Sequence, residues 1–156
     1  MRALLGFILA FVLASGSAQL QPTTRASPAI GNCYTQMRLP YGFFDNLLHT
    51  RRVPATPIES CFLGCVYREL GLTRNGGMDV EFSKKVAHIL YATQPQKLAQ
   101  SLIIIDICGK EVRNIGDECQ LGYRSRDCLV RNSDPSFAPI ETEVSRRGSH
   151  QNNYIA

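Results

Sequence analysis

The chain has 156 residues, six cysteines, no tryptophan and a formal net charge of +4. A hydrophobic fraction of 44% and a charged fraction of 19% exclude a wholly disordered chain and a low-complexity fibre. No apolar run reaches the roughly 18 to 20 residues of a membrane-spanning helix, which argues against a polytopic membrane protein. The basic residues are scattered and do not alternate with aromatic ones, which argues against nucleic-acid binding.

The N-terminal segment has the three parts of a secretory signal peptide. Arg2 provides a positive charge, residues 3–14 are free of charged and strongly polar groups, and small residues follow at 15–18. Gly16 and Ala18 suit the small-residue positions before a cleavage site, but an earlier pair does so too, and the exact cut stays open. We predict a signal peptide over residues 1–18 and a secreted, extracellular protein.

Apolar spacing predicts helices in the chain that follows. A short helix ending near Thr50 is predicted from an apolar face formed by Phe43, Phe44, Leu47 and Leu48. Pro57 suits the first position of a longer helix that continues over residues 58–70, and Gly71 lies just past its end.

Residues 73–77 are predicted to form a loop, because their composition is typical of one. Asp79 can cap the next helix, whose apolar face is formed by Phe82, Val86 and Ile89. These positions recur at helical spacing, so a helix after Asp79 is expected.

Two further helices are predicted toward the C-terminus. The first runs from Pro95 to Cys108, with Gly109 after its end and an apolar face formed by Leu98, Leu102 and Ile105. The β-branched run 103–105 would also suit a buried strand, which periodicity alone does not exclude. The second begins near Asp117 and extends to Leu129 or Val130. These five segments and one earlier helix, whose bounds the spacing does not give, make six predicted helices with no confident strand, so the predicted fold class is all-α.

The predicted organisation is a helical domain over residues 19–131 followed by a polar tail over residues 132–156. The tail contains two prolines and few large apolar residues, so we expect it to be mostly unstructured. Its one apolar group, around Phe137, could instead fold back over the domain.

The cysteines are expected to form up to three disulfide bonds, because a secreted chain folds in an oxidising environment. Cys61 and Cys65 project within about 40° of each other on one helix, so a bond between them would tie only one turn to itself. Cys119 and Cys128 leave the last helix about 180° apart, so that helix must be stapled on both sides. Excluding the Cys61–Cys65 bond reduces the fifteen possible pairings to twelve, which the spacing does not separate.

The cysteine spacing resembles that of the insect odorant-binding protein family, which includes the pheromone-binding proteins. The gaps between successive cysteines are 27, 3, 42, 10 and 8 residues. The segments SCFLGCVYRELG (60–71) and DECQLGYRSRDCL (117–129) carry the resemblance, which extends from about Cys33 to Val130. It implies a compact six-helix domain around an internal apolar cavity, with the disulfide bonds Cys33–Cys65, Cys61–Cys119 and Cys108–Cys128. The long tail and the proline-containing segment before Cys33 depart from the family.

The resemblance implies a secreted carrier that binds a small hydrophobic ligand, an odorant or pheromone, and transports it through aqueous fluid to receptors. It implies no cofactor, no metal and no catalytic residue. A membrane odorant receptor is a further candidate partner, and the expected assembly is a monomer or a weak homodimer. The candidate ligand contacts are inward-facing positions together with one tail residue: Leu47, Leu48, Leu63, Tyr67, Val86, Leu90, Leu98, Leu102, Ile105, Leu129 and Phe137. Ordinary core packing is the favoured alternative at each apolar position, because a helical domain needs an apolar interior in any case.

Polar contacts to a ligand and a release trigger are further hypotheses. Tyr67 and Tyr123 are candidates for a hydrogen bond to a ligand hydroxyl or carbonyl. Protonation near His49, with His88 and His150 as the other histidines, or a shift of the Phe137 segment, could gate release. Solvated side chains are the alternative for all of them.

Other function classes make different predictions. The chain lacks the Gly-x-Ser-x-Gly elbow, the His-Glu-x-x-His zinc helix and the Cys-Cys-x-x-His-Asp motif of secreted phospholipases, so an enzyme is not indicated. A non-olfactory carrier or scavenger in saliva, venom or reproductive fluid would keep the same fold. A secreted interaction module would instead have a filled core and an exposed apolar patch.

Overall fold

The computed structural model describes residues 26–134, so the predicted signal peptide, most of the predicted tail, His150 and Phe137 lie outside the described residues. Within this range the chain forms six helices and one two-stranded sheet, which confirms the all-α prediction. The helices are α1 (Ala26–Gln36), α2 (Asp45–His49), α3 (Pro57–Leu70), α4 (Val80–Leu90), α5 (Pro95–Glu111) and α6 (Glu118–Asn132). No helix among residues 26–134 is long and apolar enough to span a membrane.

The central helix α3 has a sequence-encoded signal at each end. The side chain of Thr56 accepts a hydrogen bond from the backbone N–H of Glu59 (3.3 Å), and the Glu59 carboxylate accepts one from the backbone N–H of Thr56 (3.1 Å). This reciprocal arrangement is a capping box, and Pro57 follows it in the first turn. Gly71 ends the helix with a φ of 78°, a left-handed conformation that favours glycine. The predicted bounds of this helix are confirmed.

Aspartates cap α4 and α6 as predicted. The Asp79 carboxylate accepts a hydrogen bond from the backbone N–H of Phe82 (3.0 Å). The Asp117 carboxylate accepts one from the backbone N–H of Gln120 (2.7 Å). Each cap satisfies a backbone donor that has no partner within its own helix.

The predicted end of α5 at Cys108 is wrong, because the helix continues to Glu111. Gly109 therefore lies inside α5 rather than after it. A Cβ atom at Gly109 would lie 2.2 Å from Cγ2 of Val80, so the glycine is needed where the start of α4 crosses α5. The β-branched run 103–105 is helical, and the strand alternative is excluded.

The segment predicted as a loop over residues 73–77 contains a short hairpin. Strands β1 (Thr73–Arg74) and β2 (Gly77–Met78) pair antiparallel across Asn75 and Gly76. Both turn residues have positive φ, 52° and 75°, as a two-residue hairpin turn requires. The sequence Asn75-Gly76 is typical of such a turn, but the loop prediction rests on composition and does not include a hairpin.

Two predicted apolar faces include a residue that is exposed. Phe43 precedes α2 in a turn and is 60% exposed, since α2 begins only at Asp45 and helical spacing does not extend to it. Ile89 is 48% exposed because the buried face of α4 is formed instead by Ser83, Val86, Ala87 and Leu90.

Helices α3 and α6 pack with their backbones in contact. A Cβ atom at Gly64 would lie 2.2 Å from the carbonyl oxygen of Glu118, and one at Gly122 would lie 2.3 Å from the carbonyl oxygen of Ser60. The Cys61–Cys119 bond joins the two helices here, with its Cα atoms 3.8 Å apart. Side chains larger than hydrogen would therefore separate the helices.

The other two disulfide bonds attach further helices to this pair. Cys33–Cys65 joins α1 to α3, and Cys108–Cys128 joins α5 to α6. With Cys61–Cys119, these are the pairs that the family resemblance implies.

We predict that Gly64→Ala or Gly122→Ala destabilises the domain by about 3 kcal/mol or more, because the added methyl group meets backbone atoms that cannot rotate away. Chemical denaturation of the oxidised protein would measure this. Gly116→Ala is the matched control, since no atom lies within 4 Å of a Cβ atom there, and it should change the free energy of unfolding by less than about 0.5 kcal/mol. Equal stability of the three variants would contradict the close helix contact.

Candidate functional site

The predicted ligand contacts within residues 26–134 converge in the interior. Nine of them form or border a single apolar cluster, here called the large cluster. Seven are buried in it, namely Leu47, Leu48, Leu63, Tyr67, Val86, Leu90 and Ile105. Leu98 and Leu102 are partly buried against its edge. Leu129 belongs instead to a second, smaller cluster with Ile104, Val112 and Leu121, here called the small cluster.

An interior cavity lies where the two clusters meet. Tyr67 of α3 and Leu129 of α6 both line it, so it borders one predicted contact from each cluster. The other described lining residues are Leu72, Thr73, Met78, Ser83 and Ser125. The volume of this cavity, about 10 Å³, has room for a single water molecule or hydroxyl group.

Two serine side chains that line this cavity were not predicted as site residues. Ser83 is 0% exposed and Ser125 is 1% exposed, and neither Oγ has a hydrogen-bond partner among the described residues. A buried hydroxyl without a partner costs about 1–3 kcal/mol. The sequence contains a signal for the burial of Ser83, which lies three residues before Val86 and seven before Leu90 and therefore on the same helical face.

The other predicted polar contact lies elsewhere. Tyr123 is 39% exposed and lines an open surface cleft of about 590 Å³ with Pro57, Asp117 and Gln120. Tyr67 is 1% exposed and faces the interior cavity. The structure therefore does not bring the two tyrosines together.

The histidines in the described range are on the surface. His49 at the end of α2 and His88 in the last turn of α4 are both exposed. Neither lines the interior cavity. Among residues 26–134, no group of three histidine, cysteine or acidic side chains could hold a metal ion.

A buried arginine, which sequence reasoning missed, holds α2 against α6. Arg126 is 0% exposed, and its guanidinium donates hydrogen bonds to the carbonyl oxygens of Leu47 (2.8 Å), Thr50 and Arg52 (3.1 Å). These carbonyls lie in and just after α2, where helical partners run out. The charge is thus placed against carbonyl dipoles, and Leu47 and Leu48 are held facing the large cluster.

The start of α3 contains a buried carboxylate. Glu59 is 8% exposed and forms an ion pair with Arg52, with Nη1 and Oε2 3.1 Å apart. It also accepts hydrogen bonds from the backbone N–H groups of Ala55 (2.6 Å) and Thr56. The Arg52 hydrogen bonds, helped by these backbone donors, lower the pKa of Glu59 to about 2.

We predict that this carboxylate makes the domain sensitive to acid. Because the pKa is lowered on folding, the stabilisation is present above pH 4.5 and is lost as the pH falls towards 2. Glu59→Gln should lower the free energy of unfolding by about 1–2 kcal/mol at pH 7, and the difference from the unmodified protein should disappear between pH 4.5 and 2.

Denaturation curves recorded across that pH range would test this. Glu81→Gln is the matched control, since Glu81 is an exposed carboxylate in the first turn of α4, and the change should stay below about 1 kcal/mol. A Glu59→Gln difference that persists unchanged at pH 2 would contradict the assignment.

Comparison with protein families matches residues 19–132 to the PBP/GOBP family, the pheromone-binding and general odorant-binding proteins. This stretch contains all six cysteines and all the described helices. Neither the curated proteins nor the solved structures show a significant match to the chain. Members of the family bind and carry small hydrophobic ligands, are secreted and soluble, and are not enzymes. With nearly three quarters of its length matched, the chain belongs to the PBP/GOBP family.

Proposed function

We propose that the protein is a secreted carrier that takes up an odorant, a pheromone or a similar small hydrophobic molecule in its interior and carries it through aqueous fluid. Family membership over residues 19–132 is the observation that carries this proposal. The structure supports it by directing ten of the proposed contacts towards two apolar clusters with a cavity between them.

Uptake into this cavity must involve movement of side chains, because the cavity has room for one water molecule. The disulfide bonds join α1, α3, α5 and α6, so the helices cannot separate freely while the interior opens. Leu98 and Leu102 are only partly buried at the edge of the large cluster, which makes the start of α5 the proposed entrance. Each Å² of apolar ligand surface withdrawn from water then contributes about 25 cal/mol.

We predict that the oxidised protein binds a fluorescent apolar probe and that long-chain alcohols, aldehydes and esters displace it at micromolar concentrations, with a clear dependence on chain length. A fluorescence titration measures this. Protein that has been reduced and alkylated is the control and should lose the probe, since the helices are no longer tied together. If oxidised, folded protein binds neither the probe nor any compound of the panel, the carrier proposal fails.

Secretion is part of the same proposal and rests on residues 1–18. The family match begins at residue 19, directly after the proposed signal peptide. We predict that the full chain expressed in eukaryotic cells is recovered from the medium without its signal peptide, with Ser15 or Gln19 as its N-terminal residue. N-terminal sequencing of the product checks this, and recovery of an intact chain inside the cells would contradict it.

A secreted interaction module is the second candidate, favoured by two exposed aromatic residues on either side of Gly42 in the turn before α2. Tyr41 is 74% exposed and Phe43 is 60% exposed. The probe titration separates the candidates, because only a carrier saturates with a small ligand. The tissue that expresses the protein would separate an olfactory carrier from one in saliva, venom or reproductive fluid.

A further inference from the structure

We propose that Ser83 and Ser125 form the polar end of the ligand site and that they hold one uncharged oxygen group, a hydroxyl or a carbonyl, of an otherwise apolar ligand. This inference rests on the proposed carrier function and adds to it the two side chains that would hold the oxygen of the ligand.

The two serines have unused hydrogen-bonding capacity. Both side chains are at least 99% buried, both line the same interior cavity, and neither Oγ has a partner within residues 26–134. Other buried helical serines behave differently: Ser101 Oγ donates to the carbonyl oxygen of Lys97 (2.8 Å), and Ser60 Oγ donates to that of Thr56 (3.1 Å). The unpaired state is thus particular to the two serines that line the cavity.

The cavity lies between the two helices that carry these serines. Ser83 lies on α4 and Ser125 on α6, so the hydroxyls reach the cavity from two different helices. A hydroxyl can both donate and accept, and a ligand oxygen between them can therefore satisfy both groups. The size of the cavity matches one such oxygen, and the apolar remainder of the ligand would lie towards the leucines of the large cluster.

The uncharged lining of the cavity favours an alcohol or aldehyde over a fatty acid. None of the described residues that line the cavity is charged. The nearest buried cation along α6, Arg126, donates to backbone carbonyls around the end of α2 instead. A carboxylate in this cavity would be buried without a counter-charge, which is unfavourable.

The test compares decanol and decane on the full oxidised chain and on the double variant Ser83→Ala/Ser125→Ala. We expect the ratio of the decanol to the decane association constant to fall about tenfold in the double variant, because the hydrogen bonds to the ligand oxygen are lost. Decane alone should bind both proteins within about twofold. Decanoate should bind the unmodified protein more weakly than decanol at neutral pH.

Ser101→Ala is the matched control, a buried helical serine whose hydroxyl already has a partner. It should keep the decanol-to-decane ratio of the unmodified protein. Removing hydroxyls that have no partner should also leave the denaturation midpoint of the double variant unchanged or raised, whereas Ser101→Ala should lower it. The single variants Ser83→Ala and Ser125→Ala, each expected to lower the ratio about threefold, provide the test if the double variant is poorly produced.

The failures of the two proposals are distinguishable. If decanol and decane both bind but their ratio is the same in the double variant, this inference is overturned while the carrier function stands. A lowered midpoint of the double variant would show that the hydroxyls have structural partners and would also overturn it. If neither compound binds the unmodified oxidised protein although the fluorescent probe does, this inference is overturned and the carrier function stands. If the probe and the rest of the panel also fail to bind, both proposals fail together.

Discussion

Helices α3 and α6 touch through their backbones because Gly64 and Gly122 place no side chain between them, and the Cys61–Cys119 bond joins them at this contact. The remaining disulfide bonds then attach α1 to α3 and α5 to α6, so two further helices take their positions from this pair. The large cluster forms mainly on α1 to α4, and the small cluster forms on α5 and α6. A cavity remains where the two clusters meet, because the distances between the helices around it are set by the α3–α6 contact and the disulfide bonds.

Buried polar groups secure the connection between α2 and α3, which has no helical hydrogen bonds of its own. Arg126 donates to carbonyls in and after α2, while Glu59 holds Arg52 and the backbone just before α3. Arg51 adds a bond to the carbonyl oxygen of Val130 near the end of α6 (2.9 Å). Each buried charge has several partners, which is the condition under which an ionised group is tolerated inside a protein. These contacts orient the leucines of α2 towards the interior.

The interior thus combines apolar side chains with two uncharged hydroxyl groups, those of Ser83 and Ser125. Apolar surface supplies affinity for hydrophobic molecules in general, because its contribution depends on area and not on direction. Hydrogen-bonding groups supply discrimination, because a buried hydroxyl favours a ligand that can pair with it. A carrier built in this way would select for an oxygen group at one end and tolerate variation along the apolar chain. Its disulfide bonds allow the side chains to rearrange around such a ligand while the helix framework is kept.

Local features of this protein follow from neighbouring residues in the chain. The helix ends at Pro57, Gly71, Asp79 and Asp117 could be predicted because caps and turns depend on such neighbours, and the cysteine spacing indicated the family. Other features are visible in the folded structure alone: Gly109 lies inside α5 against Val80, Ile89 faces solvent, and Arg126 binds carbonyls more than 70 residues away. The same holds for the cavity that Ser83 and Ser125 share. The physical reason is that such contacts depend on how closely separate helices approach, and that distance is set by the whole packing arrangement rather than by spacing within any one helix.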